Sequence, residues 1–449
     1  MRLKLPPKVQ YIIEKLNGAG FEAYAVGGCV RDSILGREPD DWDITTSAKP
    51  MQVKELFART VDTGLQHGTV TVLLDKDSYE VTTYRIDGEY LDGRHPQKVE
   101  FTSRLEEDLQ RRDFTINAMA YSQETGLVDC FQGMEDMQLH RVRCVGEPRE
   151  RFSEDALRIL RAVRFAAQLG FCIEHRTREA IGQLAPTLKK ISAERIRVEL
   201  NKLLISSRPQ LLKEAWELGI TAVVLPEFDR AMETPQNVPE HFCTVGEHTL
   251  RTLEQVEPCP VLRWTMLLHD LGKPQVKAVG PGGLDYFPHH GEKGEQLAVE
   301  VLRRLKFDND TIRQVRMLVR WHDITVNPEP EAVRRAMSRL GRDLFPMYLQ
   351  VRRADLLAQR PIRRQEKLEV INRVEELFQE TLSLGHCLSV KELAVSGKDL
   401  IGLGIRPGPG LGELLEELLD LVLKNPEDNT RDYLLEYAAE RMKAADCGK

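Results

Sequence analysis

The sequence predicts an α+β fold: a mixed N-terminal domain followed by a chain that is helical to its end. Up to about Gly146, strand-like runs rich in β-branched residues, HGTVTVLLD from His67 and SYEVTTYR from Ser78, alternate with helical stretches. From Arg151 the period changes to that of helices, as in EDALRILRAVRFAAQLGF, closed by Gly170 as C-cap, and SAERIRVELNKLL, opened by Ser192 as N-cap. Turn-rich breaks at PEFDRAMETPQNVPEH and AVGPGGLDYFPHHG then divide the remaining helices into units. A length of 449 residues at 41% hydrophobic content suits several buried cores. No apolar run is long enough to cross a bilayer and MRLKLPPKVQ lacks a signal peptide's apolar stretch, so no membrane partner and a cytoplasmic location are expected. The eight cysteines form no CxxC pair and suit reduced thiols.

The first element is the strand EAYAV, which runs into GGCVRDSILGREPDDWDITTS, Gly27 to Ser47. A strand entering Gly27-Gly28 and then a short helix presents backbone N–H groups with no side chain in the way, and Arg31 adds a fork of donors, a set that grips phosphates. Further on, strand alternation puts Asp41 and Asp43 on one face, with Trp42 and Ile44 turned into a core. Two adjacent carboxylates repel unless a hard cation such as Mg²⁺ neutralises them, and that cation can also bridge a nucleotide's phosphates. A glycine turn before a polar loop is the plain alternative. Glu80, on the strand from Ser78, is either a third carboxylate or a solvent-facing strand residue.

Charge is unevenly spread. The formal net charge is -7, yet Arg141 to Lys213 holds 16 Lys or Arg against 8 Asp or Glu, so this segment carries +8 and the remainder -15. Such a segment is either a local basic surface suited to nucleic acid or a set of solvated helices with internal ion pairs.

GGCVRDSILG followed by DDWDITT, then RRDFTINAMA from Arg111 and EDALRILRAVRF from Glu154, resembles the class II tRNA nucleotidyltransferases, the CCA-adding enzymes of the DNA polymerase β superfamily. The resemblance implies a polymerase-β-like catalytic head over residues 1–146 and an all-α remainder. The latter comprises a base-recognising neck over 147–205, a body with an HD domain over 206–360 and a tRNA-binding tail over 361–449. It implies Mg²⁺ on Asp41 and Asp43 and the triphosphate near Gly28 and Arg31. Arg112 falls on a nucleotide-binding position, and Asp113 on the ribose hydroxyl. A charged helix start capped by Asp113 is the simpler reading of RRDFT alone. The substrates implied are tRNA, CTP and ATP.

In EDALR, Asp155 and Arg158 lie three apart, so on a helix they share a side and present an acceptor beside a donor. Cytosine and adenine offer the complementary amine and ring nitrogen. Uracil and guanine reverse both, leaving charged groups unpaired. Arg161 and Arg164 continue that face toward the nucleotide and primer end. An Asp155–Arg158 salt bridge is the alternative for an isolated helix. Before RRD, the loop TTYRIDGEYLDGRHPQKVEF carries Arg85, Asp-Gly turns at Asp87 and Asp92, and Arg94-His95-Pro96. It is full-length for the family, which favours complete CCA addition over CC addition, with an A-adding enzyme or poly(A) polymerase as alternatives.

Six of the 11 histidines, His241, His248, His269, His289, His290 and His322, lie within one stretch. RWTMLLHDLGKP, with His248 upstream and Asp355 downstream, looks like an HD-domain phosphohydrolase, in which these residues bind a second divalent metal. An HD fold kept only to support the body is the competing reading. Near the C-terminus, SGKDLIGLGIRPGPGLG is a glycine turn into a helix start that can hold an RNA phosphate, although Lys391 to Lys449, with 8 basic and 12 acidic residues, is acidic overall.

Overall fold

A computed structural model of the chain describes residues 2–88 and 99–447. These form two compact units, Met1–Asp229 with Arg304–Lys306, and Arg230–Arg303 with Phe307–Lys449.

The first unit is built on a seven-stranded mixed sheet. Its strands are β1 (Ala23–Val26), β2 (Ile44–Thr46), β3 (Thr60–Gly64), β4 (Thr69–Leu74) and β5 (Asp77–Thr83). After the ribbon of β6 (Arg85–Asp87) and β7 (Val99–Phe101) come β8 (Met119–Ser122) and β9 (Gly126–Asp129). The order across the sheet is β3-β4-β5-β2-β1-β8-β9. Only β2 and β5 pair in parallel, with Ile44 opposite Val81. The β-branched runs form the strands because Val70, Val72 and Val81 fill the core between polar neighbours.

The helices of the strand-bearing part begin with α1 (Pro7–Gly18), α2 (Gly28–Ile34) and α3 (Pro50–Leu56). The first buries Val9, Ile12, Ile13 and Leu16, the spacing of one helical face. Next come α4 (Leu105–Gln110) and α5 (Gly133–Gln138), then the helical segment α6 (Pro148–Glu154), α7 (Leu157–Leu169), α8 (His175–Leu184) and α9 (Ala193–Leu204). Gly170 closes α7 at φ 76°, a left-handed conformation glycine adopts without penalty. Ser192 precedes α9 as expected, but its side chain makes no capping bond.

EDALRILRAVRFAAQLGF is not one helix. Asp155, at φ -140° and ψ 104°, is extended and separates α6 from α7, so Asp155 and Arg158 do not share a helical face. The Asp155 carboxylate instead accepts from the Leu157 amide at 3.0 Å. An acceptor that satisfies a helix's first N–H groups favours a new start over continuation. The turn at Asp92 and the Arg94-His95-Pro96 stretch lie outside the described residues.

The second unit is helical apart from the short pair Ala278–Val279 and Asp285–Tyr286. Phe345, stacked on Phe378 at 5.1 Å, joins the helices Phe345–Ala358 and Arg364–Ser383 in its core. The glycine turn near the C-terminus leads into the helix Pro409–Lys424. No helix among the described residues is long and apolar enough to cross a membrane.

Phe114, fully buried, meets the ring of Phe165 on α7 edge-on at 5.7 Å. Phe114→Ala should lower stability by about 3–5 kcal/mol, read as an earlier urea transition of the unit that contains it. An unchanged midpoint would show that α7 does not depend on this contact.

Candidate active site

Most of the predicted nucleotide-site residues meet in one cleft of about 280 Å³. It is lined by Gly27, Gly28, Arg31, Asp41, Asp43, Arg112, Asp113, Asn117, Arg161, Arg164 and Phe165, among others. Gly27 sits at φ 83°, and a Cβ there would come within 3.0 Å of the Arg112 guanidinium, so both backbone and space call for glycine. Gly28 then begins α2, whose first amides have no partner within the helix.

The two acidic residues precede the strand rather than lying on it. Asp41 and Asp43 sit in the extended approach to β2, both exposed, with Trp42 half-buried and Ile44 buried. The Asp43 carbonyl accepts from the Val26 amide at 3.0 Å, so the sheet still fixes the position of this segment. Desolvation pushes the Asp43 carboxyl above the ordinary carboxylate value, with Arg112 opposing and Asp41 adding repulsion. The parallel register of β2 and β5 brings Glu80 alongside. Glu80 is exposed, as the solvent-facing reading expects, yet its carboxyl is also raised by desolvation and by Asp43 and Asp41. A divalent cation would offset both the desolvation of the Asp43 carboxyl and its repulsion by Asp41, so the pair fits one.

Four arginines line the same cleft. Arg31 is buried, donates to Asp32 at 2.9 and 2.7 Å and reaches Asn117 Oδ1 at 2.5 Å. Arg111 and Arg112 both reach the fully buried Asp108, at 2.8 and 3.4 Å. Burial works against the Asp108 charge, but the two guanidinium groups hold its carboxyl below the usual range. Arg161 donates to Asp113 Oδ2 through Nε at 2.7 Å and Nη2 at 2.6 Å. Arg164 donates to Glu199 at 2.5 Å. Arg31, Arg161 and Arg164 all lie against the Phe165 ring, Arg164 closest at 3.9 Å from the centroid.

Asp113 is more engaged than a simple ribose contact implies. Its Oδ1 accepts from the Phe114 amide at 2.8 Å and from Asn117 at 3.1 Å, while Oδ2 takes both Arg161 donors. Those four donors fill the roughly four acceptor positions of a carboxylate.

Asp155 and Arg158 are not among the cleft-lining residues. Asp155 binds Arg195 of α9 at 2.7 Å, and Arg158 pairs with Glu154 and donates to the Arg151 and Arg111 carbonyls, each at 3.0 Å. The alternative reading, an Asp155–Arg158 salt bridge, does not form. Both nevertheless act on the cleft through charge: Asp155 on Arg161, Arg158 on Asp113.

Sequence reading missed Asn117, Phe165, Asp108, Glu199 and Arg195. The first two lie inside quoted motifs and carry no titratable side chain. The others reveal themselves only by what they touch.

In the second unit the histidine cluster assembles. His248 sits on the helix Val245–Leu253, His269 and Asp270 follow Pro260–Leu268, and His322 follows Asn309–Trp321. His248 Nε2 lies 2.9 Å from Asp355 Oδ1, and His290 Nε2 lies 3.1 Å from His322 Nε2. Asp270 is 3.2 Å from His269, 3.4 Å from His322 and 2.7 Å from Lys273. Burial opposes the Asp270 charge, but His269 and Lys273 hold its carboxyl well below the ordinary value. His269 Nε2 and Asp270 Oδ1 are buried and make no hydrogen bond, with His269 Nε2 3.2 Å from Asp270 Oδ2 and Asp270 Oδ1 3.4 Å from His322 Nε2. Two trios, His248-His269-Asp270 and Asp270-His290-His322, each bring their ligand atoms within 4.8 Å. His289 stands apart, its side chain 80% exposed. A cavity of about 370 Å³ borders the cluster, with Lys273, Tyr348, Arg352 and Lys367 on its wall.

Comparison with known proteins agrees with this layout. Residues 23–143 match the family described as Poly A polymerase head domain, and 170–232 the one described as probable RNA and SrmB-binding site of polymerase A. Residues 291–438 match the one described as tRNA nucleotidyltransferase domain 2, putative. A CCA-adding enzyme of Limosilactobacillus reuteri is 36% identical over 449 residues, covering 99% of this chain and 100% of the relative. That of Enterococcus faecalis is 35% identical over 434 residues, 96% of this chain and 95% of the relative. The crystal structure of the Bacillus stearothermophilus CCA-adding enzyme in complex with CTP superposes with a TM-score of 0.75 at 32% identity, covering 99% of this chain and 100% of that one. With such identity sustained from end to end, the chain belongs to the CCA-adding enzymes.

Proposed function

We propose that this protein builds the 3′-terminal CCA of tRNA from CTP and ATP without a nucleic-acid template, releasing pyrophosphate at each addition. The observation that carries the reading is the cleft, whose lining combines an acidic pair with four arginines, as a metal-bound triphosphate requires. The tRNA 3′ oxygen attacks the α-phosphate, the bond to the β-phosphate breaks, and pyrophosphate takes the electron pair. Asp41 and Asp43 would hold Mg²⁺, which would supply Lewis-acid polarisation at the reacting phosphate. Gly28, Arg31 and Arg112 hold the triphosphate. Arg161 and Arg164 are set by Asp113 and Glu199 before substrate arrives, so little reorganisation remains at the reacting centre. Asp113 reaches the ribose hydroxyl by exchanging one of its four donors. Asp155 and Arg158 read the base edge. The four-part division into a head (1–146), neck (147–205), body (206–360) and tail (361–449) follows, with tRNA held by the helical parts, and we assign the reaction to the cytoplasm, where its three substrates meet.

A second reading concerns the histidine cluster. We infer that His248, His269, Asp270, Asp355, His290 and His322 hold one or two divalent cations in an HD-type phosphohydrolase site. Its support is the pair of buried, unpartnered atoms, His269 Nε2 and Asp270 Oδ1.

Given tRNAs that end before the first C, after C, or after CC, the protein should incorporate CMP on the first two and AMP on the third. Asp43→Ala should abolish incorporation on all of them while tRNA binding persists, and wild-type turnover by that variant would end the metal assignment.

The raised Asp43 carboxyl makes a separate prediction. In metal-free protein its NMR titration midpoint should lie above the ordinary value of about 3.9. Because a cation competes with the proton, adding Mg²⁺ should move that midpoint down. An ordinary, Mg²⁺-insensitive midpoint would contradict the site.

His269→Ala with Asp270→Ala should leave CMP and AMP incorporation near wild type and remove Mn²⁺ or Zn²⁺ binding measured by calorimetry. Equal binding by wild type and variant would refute the second site.

A further inference from the structure

The Asp155 carboxylate is held in place by a residue forty positions away. Arg195, in the first turn of α9, donates through Nη2 to Oδ2 at 2.7 Å and through Nη1 to Oδ1 at 3.4 Å. Oδ1 also accepts from the Leu157 amide at 3.0 Å. Both partners are largely shielded, the side chains 16% and 25% exposed, so water competes weakly for the pair. The donors are unevenly shared. Oδ1 has two and is filled; Oδ2 has one and keeps an acceptor position.

A second contact of α9 points the same way. Glu199, four residues beyond Arg195 and therefore on the same helical face, holds Arg164 in the cleft at 2.5 Å. One face of α9 thus fixes an acceptor near the base-reading segment and a donor in the nucleotide cleft.

We propose that Arg195 is a positioning residue for base selection: its guanidinium locks the Asp155 carboxylate so that one acceptor position on Oδ2 stays open to an exocyclic amine. A carboxylate free to swivel could turn away from a carbonyl and tolerate it. A locked one leaves a carbonyl facing a negative oxygen. The proposal rests on the reading in which Asp155 and Arg158 recognise the base.

The test measures single-nucleotide incorporation of CTP and UTP on a tRNA lacking CCA, with melting temperature alongside, for wild type, Arg195→Ala, Arg195→Lys, Asp155→Ala and the double variant Arg195→Ala/Asp155→Ala. The CTP-to-UTP ratio of kcat/KM should fall about tenfold in Arg195→Ala and on the order of ten- to a hundredfold in Asp155→Ala, while kcat for saturating CTP changes less. Lysine offers a point charge in place of a fork, so Arg195→Lys should recover part of the ratio. It also keeps the test open if the alanine variant fails to fold. The double variant should lose no more selectivity than Asp155→Ala, because the two residues act as one. Loss of selectivity in Asp155→Ala with none in folded Arg195→Ala overturns the positioning role and leaves base reading intact. Additive losses, or CTP and UTP reduced in proportion by Arg195→Ala, overturn it as well. An unchanged ratio in folded Asp155→Ala removes the base-reading premise itself.

Discussion

The cleft depends on how two arginines of α7 are held. Arg161 is fixed by Asp113 and Arg164 by Glu199, and both lie against the Phe165 ring between them. Charges shielded to this degree are costly to strip of water, and the cost is recovered only where each is paired and hydrogen-bonded. Asp113 meets that condition with four donors. Removing one partner from the Arg164–Glu199 pair, whose side chains are 8% and 6% exposed, costs about 3–5 kcal/mol, because the other charge is stranded. The strand-bearing part and the helical neck are therefore coupled through the residues that face the nucleotide. A substitution that loosens α7 moves the donors as well.

This coupling explains why the cleft can carry so much charge of both signs. Asp41, Asp43 and Glu80 repel one another and two of them resist ionisation, while the arginines are committed to protein carboxylates before any substrate arrives. A triphosphate with a divalent cation satisfies both sets at once. The cation relieves the acidic side, and the phosphates take the arginine N–H groups that Asp113, Glu199, Asp32 and Asn117 leave over. Each set is incomplete alone, and the ligand that completes them has the charge pattern of a metal-bound nucleotide.

Much of this was legible in the sequence, and the failures have physical causes. The glycine pair, the Asp41-Asp43 spacing and RRD pointed to residues that line one cleft because they are local: a turn, two neighbouring charges, a run of donors. The same local logic misplaced Asp41 and Asp43 on a strand, since alternation cannot tell a strand from the extended chain that leads into one. It also drew a single helix through Asp155. Periodicity was sound on either side, but a carboxylate able to cap the next helix competes with continuing the first, and that outcome depends on Arg195 forty residues on. Arg195 and Glu199 themselves looked like ordinary charges on an amphipathic helix. Only the packing of α9 on α7 turns them into partners of the site.

The histidine cluster is the converse case, a site whose members are legible singly but whose meaning lies in their arrangement. Five helices bring six ligand-type side chains together, and Asp270 belongs to both trios. Burying a polar atom without a partner costs about 1–3 kcal/mol, and His269 Nε2 and Asp270 Oδ1 both bear that cost. A cluster needed only for packing would relieve it with small rotations, since charged neighbours stand 3.2 and 3.4 Å away. The ligand atoms lie within 4.8 Å of one another in each trio, a spacing one cation could bridge. The cationic wall of the adjoining cavity, with Lys273, Arg352 and Lys367, adds what a phosphate ester next to that ligand needs. The chain thus carries two clusters of polar side chains with different ligand types, one an open cleft rich in arginine, the other buried and rich in histidine.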